Sequence, residues 1–306
     1  VEEKPEVRKA GGVYYTPEAI TDYISNNTIV PYLLNKLDKK YLNFEDLIKN
    51  PEKNKSDIEK AISILDSIKV LDPACGSGAF LIKSSEILFH LKRRLNYVLG
   101  NKKDFYSLKL NIVTDSIYGV DILKGATEIS KLRLWLWLIS DYEMEEDVEP
   151  LPNIEYNLMC GNSLVGFTSF KGKLVEVSSK LISKTKKFEE LKSEYKKSHG
   201  KTSVIIQELL EKEMASVRSE LNSLYIQDLN SRGINTFKVK KETQFNFFGE
   251  KAKTKDDKYI YQEQFEKELL PFHWVLEFSE IFKGETPGFD VVIGNPPYIS
   301  FGLRNV

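Results

Sequence analysis

Ile68-Lys69-Val70-Leu71-Asp72-Pro73-Ala74-Cys75-Gly76-Ser77-Gly78 decides the fold class: a short apolar run, a terminal acid and a glycine-rich turn. After it, Phe80, Leu81, Ser84, Ile87, Leu88 and Leu91 recur at helical spacing. The pattern predicts a strand over 68–71, a tight turn and a long helix. A second such unit follows, with a strand over 117–120, Asp121 at its end, and an amphipathic helix over 124–139 bearing Ile129, Leu132, Leu136 and Ile139. Residues 154–159 form a third strand candidate leading into Cys160-Gly161-Asn162-Ser163. Near the other end, the apolar run over 289–293 around Asp290 has the form of a fully buried parallel strand and delivers Gly294-Asn295-Pro296-Pro297-Tyr298. Strands alternating with helices, each ending in a small or polar loop, fit an open parallel sheet that binds ligands at the carboxyl ends of its strands.

Outside this frame, Thr16-Pro17-Glu18 reads as an N-cap hydroxyl, a proline at the first helical position and an acid in the first turn, so a helix should start there and pass Ile24. Residues 38–67 are polar and lysine-rich, which predicts a solvated helical connection. Residues 141–149 hold six acids and no base, an exposed connection. From 170 to 270 the chain turns Lys/Glu-rich, with Leu174, Leu181, Phe188, Leu191 and Tyr195, then Ile205, Leu209, Val217, Leu221 and Leu224, near heptad spacing on either side of Gly200. This predicts an inserted helical hairpin. Its first arm, 171–200, has nine lysines against four glutamates, a local charge of +5 that suits a solvated helix face better than a DNA contact. The expected divisions are 1–67, an N-terminal helical segment; 68–169, the first part of the core; 170–270, the insertion; and 271–306, the remaining core strand and loop.

Composition sets limits on function. The 306 residues are 41% hydrophobic, enough for a large core, and two cysteines, Cys75 and Cys160, argue against a disulfide framework. The longest apolar stretch, 134–139, is too short to cross a bilayer, and the charged N-terminus lacks a signal peptide's apolar region, so a cytoplasmic protein is expected. A net charge of −1 gives no global basic field of the kind that announces a nucleic-acid binder. The sequence opens at Val1 and ends eight residues past Tyr298, and we expect an excised fragment.

The turn at 72–78 lacks the full Gly-x-Gly-x-x-Gly spacing of dinucleotide folds and has no lysine after its glycines, which speaks against pyrophosphate and P-loop sites. Asp72 at a strand end can instead pair with an ammonium, while Asp121 at the next strand end can accept both hydroxyls of a ribose. S-adenosylmethionine has both groups. No metal site is expected.

Gly-Val-Tyr-Tyr-Thr-Pro at 12–17, Val-Leu-Asp-Pro-Ala-Cys-Gly-Ser-Gly-Ala-Phe at 70–80, Gly-Val-Asp-Ile at 119–122 and Phe-Asp-Val-Val-Ile-Gly-Asn-Pro-Pro-Tyr at 289–298 together resemble the successive motifs of gamma-class DNA adenine-N6 methyltransferases. Within that class the chain is similar to large methylase subunits of restriction–modification systems, including single-chain enzymes with endonuclease activity (type IIG). The resemblance implies a Rossmann-like S-adenosylmethionine-dependent methyltransferase fold, α/β, with a parallel sheet of order 3-2-1-4. It implies that Tyr14, Thr16 and Pro17 border the methionine moiety, Asp72 holds its ammonium, and Pro73, Ala74, Cys75, Gly76, Gly78 and Phe80 line the cofactor. By the same resemblance Asp121 binds the ribose, Ile122 packs on the adenine ring and Asn162 meets the exocyclic amine of that ring, although the family more often has Asp there. The residues also admit plainer uses: Thr16 as an N-cap, Phe80 and Ile122 as core, Asn162 as a turn residue. Phe272-His273-Trp274 is typical of these subunits too, and packing is its expected role.

Asn295, Pro296, Pro297 and Tyr298 would then be the catalytic loop. The exocyclic amine of adenine is a poor nucleophile, and two acceptors for its N–H protons, the Asn295 side-chain oxygen and the Pro296 carbonyl, would turn its lone pair toward a methyl donor. Consecutive prolines stiffen such a loop, and Tyr298 offers a stacking face for a flipped base. The implied partners are double-stranded DNA and a C-terminal target-recognition domain or specificity subunit absent from this chain, without which residues 1–306 would methylate DNA weakly or not at all. Two rival readings remain at this point. One is a protein glutamine-N5 methyltransferase, against which the Tyr-Thr-Pro motif and the long insertion speak; the other is a cofactor-binding or DNA-binding subunit without turnover.

Overall fold

A computed structural model of the chain describes residues 16–140, 151–169, 174–232, 257–282 and 287–296, with the side chains of 174–185 and 257–261 excepted. The acidic run 141–149 therefore lies outside the described residues. The chain divides into two compact units, Val1–Cys160 with Lys196–His199 and Thr286–Val306, and Gly161–Tyr195 with Gly200–Glu285.

The first unit is built on a parallel sheet of β1 (Val70–Asp72), β2 (Ile117–Asp121), β3 (Leu158–Cys160) and β4 (Val291–Val292), in the order β3-β2-β1-β4. This is the order expected for the Rossmann-like α/β fold. Register pairs Asp72 with Gly119, and Asp121 with Cys160, so both acids sit at the carboxyl ends of adjacent strands. Helix α1 (Glu18–Lys36) precedes β1, followed by α2 (Phe44–Ile48) and α3 (Lys55–Ser67). Helix α4 (Ala79–Val98) follows the glycine turn, then α5 (Phe105–Asn111), a π-helical turn into β2, and α6 (Lys124–Ile139). The core beside the sheet joins Leu81, Leu88, Leu91 and Leu95 of α4 to Ile29 and Leu33 of α1 and Ile58 and Leu65 of α3. Each such side chain contributes about 1.5–3 kcal/mol when withdrawn from water.

Several sequence expectations need correction. The segment 38–67 is not merely a solvated connection: Phe44, Leu47, Ile58, Ala61 and Leu65 are buried, because one face of each short helix closes the core. Thr16 is not an N-cap, and Pro17 is not the first helical residue. Pro17 occupies the cap position with φ −55° and ψ 144°, no side chain caps the helix, and the Thr16 hydroxyl is used elsewhere. The third strand starts four residues later than expected. Ile154 and Tyr156 are buried from within a turn, and the Asn157 amide donates to the carbonyls of Thr114 and Ile117, so the apolar pattern there reports burial without a strand. Strand β4 is paired on one side only among the described residues: Val291 and Ile293 are buried while Val292 is 59% exposed.

The largest correction concerns α6. Ile129, Leu132 and Leu136, expected to face the core, are all more than half exposed, and Thr127, Ser130, Lys131, Leu134 and Leu138 are the buried face. The cause is the glycine turn. Ser130 Oγ donates to the Gly76 carbonyl at 2.8 Å and Arg133 Nη1 to the Ser77 carbonyl at 2.8 Å, and a methyl group on Gly78 would stand 2.9 Å from Ser130 Oγ. Only small residues allow that approach, so hydrophobic periodicity points to the wrong face.

The second unit holds α7 (Leu174–Lys197) up to Tyr195 and α8 (Lys201–Ser231), the two arms on either side of Gly200 in sequence, followed by α9 (Asp257–Leu269) and the single turn α10 (Trp274–Glu277). Along α8 the buried residues are Ile206, Leu210, Met214, Val217, Leu221 and Ile226, whereas Ile205 and Leu209 are exposed. The doublets Ile205-Ile206 and Leu209-Leu210 offer two adjacent apolar faces, and the expected register took the wrong member of each. Arg218 grips the buried Glu277 carboxylate at 2.8 and 3.1 Å. His273 is fully buried, stacks on Phe167 and meets Asn222 Oδ1 at 2.8 Å through Nε2; burial lowers its pKa to about 4. It is a packing residue.

Candidate functional site

The site is assembled where β1, β2 and β4 end. Asp72, the last residue of β1, is 1% exposed, and its Oδ1 accepts a 3.0 Å hydrogen bond from the Ala74 backbone N–H. Asp121, the last residue of β2, ties two backbones together: Oδ2 accepts from Gly76 N–H at 2.8 Å and Oδ1 from Leu123 N–H at 2.9 Å. The glycine turn is thus bonded to the neighbouring strand end, with a further bond from Cys75 N–H to the Val120 carbonyl at 2.9 Å. Gly76 and Gly78 adopt φ of +53° and +82°, which L side chains rarely tolerate. Beside Gly76, no described heavy atom outside the adjoining residues lies within 4 Å of the place a methyl group would take.

After β4 the chain passes this same acid. A methyl group on Gly294 would stand 2.5 Å from Asp72 Oδ1, so glycine lets the strand end run directly over the buried carboxylate. The next residue, Asn295, donates its Nδ2 to Thr16 Oγ1 at 3.2 Å. Asn295 therefore follows directly on the residue that lies against Asp72.

Burial raises the Asp72 pKa from 3.8 to about 7; the Asp121 charge adds to the shift, and the Ala74 N–H opposes it. A carboxyl so placed binds a proton more tightly in the folded than in the unfolded chain. Its stabilising contribution is complete below about pH 4 and is lost as pH rises through about 7. We therefore predict that Asp72→Asn leaves the unliganded protein's stability near that of the parent at pH 4. At pH 8 it should raise stability by on the order of 2–4 kcal/mol, read by thermal unfolding at the two pH values. A gap that shrinks as pH rises would contradict the assignment. Cys75 is buried, and burial, then the charges of Asp72 and Asp121, push its thiol far above the usual range, so it stays protonated.

The remaining expected residues fall in different places. Ala74 and Pro73 are half-buried in the turn, Phe80 and Cys75 join the core, and Ile122 is 46% exposed beside Asp121. Pro17 and Pro296 are exposed. Asn162 belongs to the second unit, where its Oδ1 accepts from Leu164 N–H at 3.1 Å, shaping a turn, and its own N–H bonds to the Leu270 carbonyl. Tyr14, Pro297 and Tyr298 lie outside the described residues. Sequence reasoning missed Ser130 and Arg133, which hold the turn's carbonyls, and Gly294. The small residue about two helical turns into α6, opposite a glycine turn, was the available signal for the first. Among the described residues no three His, Cys, Asp or Glu side chains cluster as metal ligands, and no helix is long and apolar enough to cross a membrane.

Comparison with known proteins agrees with this architecture. Residues 115–305 match the family described as Eco57I restriction-modification methylase, and residues 48–164 match the MmeI DNA-methyltransferase domain. The chain is 34% identical, over 95% of its length, to a putative type II restriction enzyme and methyltransferase of Methanocaldococcus jannaschii, RM.MjaORFECS2P, of which it covers 28%. It is 29% identical over 47% of its length to DNA methyltransferase A of Bacillus subtilis, covering 15% of that protein. With the type II restriction enzyme and methyltransferase RM.Eco57I of Escherichia coli the identity is 30% over 50% of the chain and 14% of the relative. The chain thus spans well under a third of the length of each of these relatives. With its matched region extending from the start of β2 past the Asn295 loop, the chain belongs to the Eco57I restriction-modification methylase family.

Proposed function

We propose that this chain forms the cofactor-binding and catalytic part of a site-specific DNA methyltransferase that uses S-adenosylmethionine to methylate N6 of a flipped adenine within a restriction–modification system. The observation that carries the reading is the Gly294 contact: the buried Asp72 carboxylate and the Asn295 loop meet at one place.

The residues suit S-adenosylmethionine. Asp72 is buried with its pKa near neutral, a state that an ammonium group would shift to full ionisation, as nearby opposite charges do. Asp121 keeps lone pairs on both oxygens after its two backbone bonds, enough to accept a ribose diol, and the exposed Ile122 offers an apolar surface to a purine. Among the described residues, nothing beyond the adjoining ones blocks the approach of a ligand to the backbone at Gly76. When bound, the cofactor supplies an electrophilic methyl group on a sulfonium.

The chain's own part is acceptance and positioning. Asn295 Oδ1 and the Pro296 carbonyl accept the two N–H protons of the adenine amine, favouring pyramidal nitrogen with its lone pair exposed. Pro296 and Pro297 limit the loop's motion, so little reorganisation is needed at the transition state. Tyr298 stacks on the extruded base, a contact worth roughly 1–3 kcal/mol. Asn at this position favours adenine over cytosine. With a net charge of −1, target reading is assigned to a separate recognition domain or specificity subunit, and the enzyme would act on chromosomal or invading duplex DNA in the cytoplasm.

The test is transfer of a tritiated methyl group from S-adenosylmethionine to unmethylated genomic DNA by the full-length protein, followed by digestion to nucleosides. Label should appear in N6-methyldeoxyadenosine. Label in N4-methyldeoxycytidine would overturn the base assignment, label in protein would favour a glutamine substrate, and no transfer at all would favour a subunit without turnover.

A further inference from the structure

We propose that Thr16 is a positioning residue for Asn295, holding the nitrogen end of its amide so that the oxygen end is left for the substrate amine. The proposal rests on the methyl-transfer reading above. An asparagine side chain has one accepting oxygen and one donating nitrogen at the ends of a two-bond stem. For an amine that must lose its N–H protons to acceptors, only the oxygen end is useful. Prolines after Asn295 fix the backbone but leave its side-chain torsions free. A second contact has to choose the rotamer. Thr16 Oγ1, 3.2 Å from Asn295 Nδ2, supplies it and leaves both lone pairs of Oδ1 to other partners.

A tether restrains only if its own base is fixed, and the base here is α1. Thr16 is buried and stands two residues before α1, whose Thr21, Ser25, Ile29 and Leu33 are buried too. Further along the same helix, the Tyr32 hydroxyl donates to Asp290 Oδ1 at 2.5 Å, and the other Asp290 oxygen accepts from Lys69 N–H at 2.9 Å. Asp290 immediately precedes β4, and Asn295 lies three residues after it. The helix and the residue leading into it thus hold the catalytic strand on both sides of its ladder with β1, like a splint. Burial and the Asp290 hydrogen bond raise the Tyr32 pKa, so this second tie keeps its proton through the neutral range.

The resemblance places Thr16 beside the cofactor, and the two roles separate in a rate-against-affinity experiment. Single-turnover methyl transfer from tritiated S-adenosylmethionine at saturation to unmethylated genomic DNA is measured on the full-length protein, with cofactor affinity from calorimetry. Thr16→Val should slow transfer by about 10- to 100-fold while affinity stays within about threefold, since misplacement of a reacting partner acts on the rate. Thr16→Ser, which keeps the hydroxyl, should restore most of the rate. In an Asn295→Ala background Thr16→Val should cause no further loss, the non-additivity expected of two groups acting as a unit. Weakened affinity with an unchanged saturated rate would make Thr16 a cofactor contact and overturn the proposal, as would additive losses in the double variant. Failure of the unsubstituted protein to transfer any methyl group would remove the underlying reading instead, a result distinct from equal rates in parent and Thr16→Val.

Discussion

Asp121→Ala should weaken S-adenosylmethionine binding by about 100-fold or more, measured by calorimetry, because two hydrogen bonds to one carboxylate contribute roughly 1.5–3 kcal/mol each. The complication is that Asp121 also ties Gly76 and Leu123 to the end of β2, so alanine could act by loosening the turn. Ser130→Ala separates the two effects. It cuts the other bond holding Gly76, the one its carbonyl accepts from Ser130 Oγ at 2.8 Å, without touching the carboxylate, and should reduce affinity by no more than about tenfold, the cost of one neutral hydrogen bond. A cofactor product lacking the ribose hydroxyls completes the argument. Removing the hydroxyls should cost the parent much of its affinity and Asp121→Ala almost none, since the partner is already gone. Equal sensitivity to the hydroxyls in both proteins would move the ribose site elsewhere.

The parts legible in sequence were those where one residue type is required by local geometry. Gly76 and Gly78 carry positive φ, and Asp72 and Asp121 end buried parallel strands, so the strand–turn–helix reading and the paired acids followed from spacing alone. The sheet order followed from the resemblance and agrees with the structure. What escaped was set by contacts distant in sequence. Nothing near Ser130 says that Gly76 and Ser77 carbonyls will come against it, and a helix with Ile129, Leu132 and Leu136 on one side invites the opposite assignment. Residues 38–67 looked solvated because their five buried apolar side chains are diluted among lysines and acids, although burial depends on which face they share and not on their density. Thr16 shows a third kind of miss. Thr-Pro-Glu satisfies every local requirement of a helix start, yet its hydroxyl is engaged 279 residues away at Asn295, a demand that local propensity does not encode.

Asn295→Ala should have the converse phenotype to Asp121→Ala: S-adenosylmethionine binding within about threefold of the parent, and methyl transfer to DNA reduced by about 100- to 1000-fold, the range for removing one preorganised acceptor or donor at a reacting centre. The physical distinction is where each group sits along the cleft. Gly294 lies against Asp72, while the Asn295 amide nitrogen is engaged with Thr16 Oγ1. On the proposed reading, truncating Asn295 removes an acceptor for the substrate amine and leaves Gly294, the residue against Asp72, in place. The loss should be confined to the rate at saturating cofactor and DNA, because an interaction made only as the amine becomes pyramidal lowers the barrier without strengthening the ground state. Asn295→Asp sharpens the point: it keeps an oxygen where the amine needs one but replaces the Nδ2 donor that Thr16 accepts. The Thr16 hydroxyl would then have to donate, and a second negative charge would come near Asp72. Transfer should be slower than in the parent and faster than in Asn295→Ala. Cofactor affinity that collapses in Asn295→Ala would place this residue on the cofactor side of the cleft and leave the adenine amine without its acceptor.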